Sequence, residues 1–307
     1  MSAILQAFKD ADLRKKIIFT LVMIILYRVG AQIPSPGVDY ATIAGRLRDL
    51  TEESGNLYSV INLFSGGALL QLSIFAIGIM PYITASIIVQ LLTVVIPHFE
   101  QLKKEGQSGQ AKMTQYTRYL TLALALLQSA GIVALADREQ LLGQGVRVLA
   151  EDRNFFTLVV LVITMTSGAV LVMWMGELIT EKGIGNGMSL LIFAGIATRL
   201  PTDGVNIFQN NGGLVFAMVL TGLIVLVAGI TFIEQGQRRI PVQYAKRMVG
   251  RRQYGGSSTY LPLKVNQAGV IPVIFASSLI YMPVLITQIV NSGSPGVSDN
   301  WWQRNVI

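Results

Sequence analysis

The chain is 307 residues long, 52% hydrophobic and only 13% charged, with a formal net charge of +7. Soluble domains carry about 25% charged residues, so this chain lacks the polar cover that water demands and part of its solvent must be lipid. It has no cysteine and a single histidine, His98, which excludes a disulfide framework, a thiolate metal centre and any zinc site built on two imidazoles.

A helix needs about 20 mostly apolar residues to cross a bilayer. The first such run covers 15–33, has no small-residue cleavage site after it and is followed by more spans, so it is expected to serve as its own insertion signal. Pro34-Ser35-Pro36-Gly37 ends it. Residues 57–96 then form an apolar stretch too long for one crossing, interrupted at Gly66-Gly67 and at Gly78-Ile79-Met80-Pro81. Its downstream part, 74–96, is predicted to span. Its upstream part, 60–72, is too short, and either lies in the interface as an amphipathic helix or re-enters the membrane and turns back at the glycine pair. Re-entry is tolerated only where protein or water encloses the turn, so that alternative implies a cavity. Five further spans are predicted at 117–136, 154–175, 184–200, 214–233 and 265–290, giving seven, with connections over Lys103–Lys112, Pro201–Gly213 and Arg238–Lys264.

Lysine and arginine sort these segments by side. With the N-terminus in the cytoplasm and alternating spans, 16 of the 24 basic residues fall in cytoplasmic segments and 7 opposite, with Arg28 inside the first span. The cytoplasmic face is therefore net basic and the outer segments net acidic. Such a face suits anionic lipid headgroups and equally an acidic or nucleic-acid partner.

Several strings in this order resemble one family. Gly78-Ile-Met-Pro-Tyr-Ile-Thr-Ala-Ser-Ile-Ile-Val-Gln-Leu-Leu is similar to the second span of the SecY family, Lys103-Lys-Glu-Gly resembles its next loop, and Gln115-Tyr-Thr-Arg-Tyr the segment after that loop. Gly183-Ile-Gly-Asn-Gly, Gly236-Gln-Arg-Arg-Ile, Tyr244-Ala-Lys-Arg and Leu261-Pro-Leu-Lys-Val-Asn continue the match, so it covers residues 17–290. The resemblance implies an all-α integral membrane protein, with seven visible spans and a re-entrant plug helix, forming part of a ten-helix inverted-repeat channel for unfolded polypeptides. Residues 1–200 would form the N-terminal half with five spans, 201–213 an outer connection, and 214–307 the start of the second half. That half would be cut after its second helix, near Trp301-Trp302-Gln303, with a basic cytoplasmic loop at 234–264.

The same resemblance assigns roles. Ile79, Ile83, Ile192 and Ile274, with Ser278 one turn from Ile274, would form a narrow apolar ring that excludes ions by dewetting. From sequence alone, a membrane isoleucine more often faces lipid or packs. The segment 57–72, centred on Ser65, Gly66, Gly67 and Ala68, would be the plug. Thr84, Gln90, Gln128 and Asn266 would line a lateral gate, where hydrogen bonds between helices are worth roughly 0.6–2 kcal/mol; ordinary helix–helix contact is the simpler reading for any one of them. Arg238, Arg239, Lys246, Arg247, Arg251 and Arg252, with Tyr244 and Tyr254 among them, would dock the translating ribosome through ribosomal RNA, or the SecA ATPase. A basic cytoplasmic loop explains the charge without explaining the length. SecE would clamp the halves and SecG sit at the periphery. Signal sequences, nascent chains and lipids would complete the partners, in the bacterial plasma membrane.

No cofactor, metal or bond-changing chemistry is implied. Gly183-Ile-Gly-Asn-Gly follows no strand and is read as the turn into the fifth span rather than a nucleotide loop. A secondary transporter would share broken helices and inverted repeats, but most acidic residues here lie in loops. An intramembrane enzyme would need a dyad that the sequence does not offer.

Overall fold

The computed structural model describes residues 10–39, 43, 67–69, 71–137, 148–149, 154–242, 247–249, 252–254 and 259–266. The chain divides into two compact units, residues 1–202 with 274–307, and residues 203–273.

In the first unit, helix α1 (Ala11–Gln32) starts where the Asp10 carboxylate accepts the Asp12 N–H, and it ends before Pro34. Thr20, Met23, Tyr27, Gly30 and Ala31 make its buried face, while Leu21, Val22, Ile25, Leu26 and Val29 on the other sides are about half exposed. A helix apolar all round, with its outer faces uncovered by protein, is suited to lipid. Helix α2 (Met80–Val95) opens with Pro81 in its first turn, where a missing N–H costs nothing. It breaks at Ile96-Pro97, and α3 (Pro97–Lys104) leaves at 100°. α3 tucks Leu102 against Val89 and Met113, and Gly109 passes so close to the Leu102 carbonyl that a side chain there would overlap it.

Helix α4 (Gln107–Asp137) has 31 residues, about 46 Å at 1.5 Å per residue. This exceeds the hydrocarbon thickness of about 30 Å. Helix α5 (Phe155–Lys182) has 28 residues and ends at Gly183. α4 and α5 are joined by the Ser129–Thr166 hydroxyl pair at 2.8 Å. Helix α6 (Gly187–Ala197) is capped by the Asn186 side chain, which accepts the Met188 and Ser189 N–H groups. This matches the reading of 183–187 as a turn into a helix.

Helix α7 (Arg199–Gln235) runs on into the second unit, with a break at Gly212 (φ 81°, ψ 167°), and none of its residues is buried. Of the segment 201–213, expected as a connection, residues 201–211 are thus helical. Beyond α7, strand β1 (Gln237–Val242) pairs antiparallel with β4 (Thr259–Lys264), and β2 (Arg247–Val249) with β3 (Arg252–Tyr254). Arg238 faces Leu263 across the first ladder and Arg247 faces Tyr254 across the second. Partner numbers have the same sum in both, so the two ladders share one register. This ribbon is an addition to the expected all-helical fold, although Ile240 and Val242 are β-branched and two positions apart, as residues on one face of a strand are.

Among the described residues, three helical stretches are long and apolar enough to cross a membrane, and a fourth if α2 with α3 is one broken span. They establish a helical membrane protein. α1 is long enough too, but Lys15, Lys16 and Arg28 keep it less apolar. The predicted span 265–290 lies outside the described residues.

Candidate functional site

The described residues directly before α2, 67–69 and 71–79, are not helical. The span predicted from residue 74 becomes helical only at Met80, because residues 71–79 fold as successive turns. Leu72 and Gly78 adopt positive φ (44° and 61°), as does Gly67 (92°), and this conformation closes a turn where a helix would continue. Each turn satisfies backbone groups that lipid could not. Leu72 N–H donates to Leu69 carbonyl at 3.0 Å, Ser73 to Ala68 at 3.1 Å, Ala76 to Ser73 at 3.0 Å and Gly78 to Phe75 at 2.9 Å. The segment after α1 supplies the rest, since Ser35 N–H donates to Leu72 carbonyl and Ile74 N–H to Ile33 carbonyl, both at 3.0 Å. This pairing of the Pro34-Ser35 stretch with Ser73 has no signal in the sequence beyond two prolines.

Protein encloses these turns. Leu69, Leu72, Ala76 and Ile77 pack among Ala125, Ile132 and Leu135 of α4 and Leu161, Met165 and Ala169 of α5. Phe75 stacks on Tyr27 of α1, ring centroids 6.0 Å apart. Two glycines make the approach possible. A methyl group on Gly30 would overlap the Phe75 ring, and one on Gly168 the Ile74 carbonyl. Two buried polar atoms, Ser35 Oγ and Gln71 Oε1, have no hydrogen-bond partner. Of the expected plug, Gly67 and Ala68 sit in a turn, Ala68 buried and Gly67 beside the Arg199 guanidinium. Ser65 and Gly66 lie outside the described residues.

Directly after the turns come the isoleucines. Ile79 is the N-cap of α2, 3% exposed, and its carbonyl accepts the N–H of Tyr82 and of Ile83 at 3.1 and 3.2 Å. Ile79, Ile83 and Ile192 belong to one apolar cluster with Phe75, Val172, Met175 and Leu191. Two helices and a turn thus bring together three of the five ring residues. Ile274 and Ser278 lie outside the described residues.

Of the polar residues expected along a gate, two bond within their own helix. Thr84 donates to the Met80 carbonyl of its own helix at 3.0 Å, and Gln90 donates to Ser86 at 3.4 Å. Gln128 is buried on α4, and the Asn266 amide donates to Glu234 at 3.2 Å within the second unit. Of the basic group, Arg238 and Arg239 are exposed on β1, while Arg247 and Arg252 occupy β2 and β3. Lys246 and Arg251 lie outside the described residues. Among the described residues no cluster of three His, Asp or Glu side chains could hold a metal.

Sequence reasoning misses a polar contact between spans. Arg118 of α4 grips Glu177 of α5 with two prongs, Nε to Oε1 at 3.0 Å and Nη2 to Oε2 at 2.8 Å. Fifty-nine positions separate them, so no local pattern could pair them.

Known proteins agree with this architecture. A structure concerned with how the plug domain of SecY stabilizes the closed state of the translocation channel matches with a TM-score of 0.60 at 17% identity, over 94% of this chain and 61% of that one. Sec61 in the canine ribosome–channel complex from the endoplasmic reticulum matches with a TM-score of 0.59 at 15% identity and the same coverage. This chain therefore spans 61% of the length of those solved channels, and at such identity they speak for the fold. The protein translocase subunit SecY of Corynebacterium glutamicum is 86% identical over all 307 residues, which cover 70% of it. The SecY family model matches residues 73–307, and with a relative this similar aligned along the whole chain, the protein belongs to the SecY family.

Proposed function

We propose that the chain is the central subunit of a channel that passes unfolded polypeptides across a membrane and releases membrane segments sideways into lipid. The observation that carries this reading is the stack of buried, non-helical turns at 67–79 directly preceding an isoleucine cluster drawn from separate elements. Irregular backbone among membrane helices is tolerated where protein encloses it or water reaches it. A ring of branched aliphatic side chains seals against ions yet yields to a passing chain.

In this reading Ile79, Ile83, Ile192, Ile274 and Ser278 form the ring, and the segment 57–72 with Ser65 to Ala68 is the plug. Thr84, Gln90, Gln128 and Asn266 line the lateral gate. The inverted halves would meet across 201–213. Arg238 and Arg239, exposed on β1, support a docking surface for ribosomal RNA or an ATPase motor, to which Lys246, Arg247, Arg251 and Arg252 of the same basic loop would also contribute. SecE and SecG-type subunits would flank the bundle, and the driving force would come from the ribosome or the SecA ATPase, the chain itself changing no bond. Its membrane would be the bacterial plasma membrane, N-terminus inside, as the basic-residue asymmetry favours.

The test is reconstitution of the full-length protein with its partner subunits in vesicles. An unfolded precursor should enter and become protease-protected while small ions stay excluded at rest. Passage of small solutes without precursor would replace this reading with the transporter one.

A further inference from the structure

One turn of α5, Gly176 to Thr180, touches the elements that supply the isoleucine cluster. A methyl group on Gly176 would reach Met188 of α6 and stand 3.5 Å from the Ile79 side chain. Gly187, the first residue of α6, is packed so tightly on the Gly176 carbonyl that a side chain there would overlap it. Thr180 fastens the same junction, because its hydroxyl donates to the Gly176 carbonyl at 2.8 Å and accepts the Gly187 N–H at 2.9 Å. Between these residues sits Glu177, held by the Arg118 fork from α4, with a side chain only 19% exposed. Tyr82, between Ile79 and Ile83 on α2, lies within electrostatic reach of both Arg118 and Glu177. This ion pair joins two long apolar helices, whereas the Lys104–Glu100 and Lys112–Glu105 pairs lie within the 97–112 corner.

Lipid tails are as apolar as leucine, so the rotation of one helix against another is set by close packing at small residues and by polar contacts between helices. A two-pronged guanidinium–carboxylate pair is directional. We propose that Arg118 and Glu177 are positioning residues: their ion pair fixes the rotation of the Gly176–Thr180 turn and thereby holds Ile79 and Ile192 in register for the closed ring. The inference rests on the channel reading. A slip of α5 about its axis would carry Gly176 away from Ile79 and move the Gly187 attachment with it.

The experiment uses the full-length protein with its partner subunits and two readouts. The first is resting ion leak across a planar bilayer. The second is cross-linking of an Ile79→Cys, Met188→Cys pair by a short bis-maleimide, because the ends of both native side chains reach the point where a Gly176 methyl would stand; these 307 residues contain no cysteine of their own. Arg118→Gln and Glu177→Gln should each raise the leak and lower the cross-linking by about tenfold, the scale of one lost charged hydrogen-bond pair. Arg118→Lys keeps the charge but loses the fork and should fall between. The swap Arg118→Glu with Glu177→Arg should restore most of both. Unchanged leak and cross-linking in the single variants overturns the proposal, as does a leak that rises with cross-linking intact, or a lower melting temperature with neither readout moved. A parent protein that translocates no precursor would instead overturn the channel reading.

Discussion

Two apolar stretches of this chain solve the same problem in opposite ways. Residues 67–79 leave the helix and are almost wholly buried, whereas residues 213–235 form an unbroken part of α7 in which nothing is buried, Leu214 and Phe232 being 74% and 82% exposed. A helix satisfies its own backbone and needs only lipid around its side chains. A run of turns must borrow partners from elsewhere, here Ile33 and Ser35, and must be walled in by other helices. Burial in a membrane protein thus follows backbone need as much as side-chain hydrophobicity.

Substitutions can press on that contrast. Phe75→Ala empties the space between Tyr27 and Gly30 and should lower unfolding stability of the purified full-length protein by about 3–5 kcal/mol, read by denaturant titration in detergent. Gly168→Ala sets a methyl against the Ile74 carbonyl, which cannot swing aside as a side chain would; a loss of about 1–3 kcal/mol is expected, in the same titration. Leu223→Ala, 44% exposed on α7, should change the stability of the 307-residue chain by less than about 0.5 kcal/mol. A large effect at Leu223, or none at Gly168, would erase the distinction between the two stretches.

How much of this is legible in the sequence depends on the range of the interaction. The apolar spans, the capped turn at 183–187 and the break near Pro81 are local, and composition with Gly, Pro and Asn placement marks them. Apolarity cannot tell turns from helix, so it puts the start of the second span at residue 74, six residues before Met80; Gly78 is the available cue. The segment 201–213 reads as a connection because Pro201 and three glycines discount helix, yet Pro201 stands in the first turn, where it is compatible, and the helical path breaks only at Gly212. The clustering of Ile79, Ile83 and Ile192 comes from family resemblance, since membrane isoleucines carry no mark of their own. Long-range contacts such as Arg118–Glu177 and Thr180–Gly187 arise from packing, and nothing around either partner announces them.

The shared register of the two ladders has a consequence for how the basic loop can vary. Four residues separate β1 from β2 and four separate β3 from β4. An added residue inside β1 or β4 alone would offset every pairing of that ladder beyond it, and a slip of one position turns each side chain to the opposite surface. Arg239 would then exchange sides with Arg238 and Ile240. A length change in the β1–β4 ladder therefore keeps its pairing only when both strands grow or shrink together, which makes the ladder a ruler whose reach alters in matched steps.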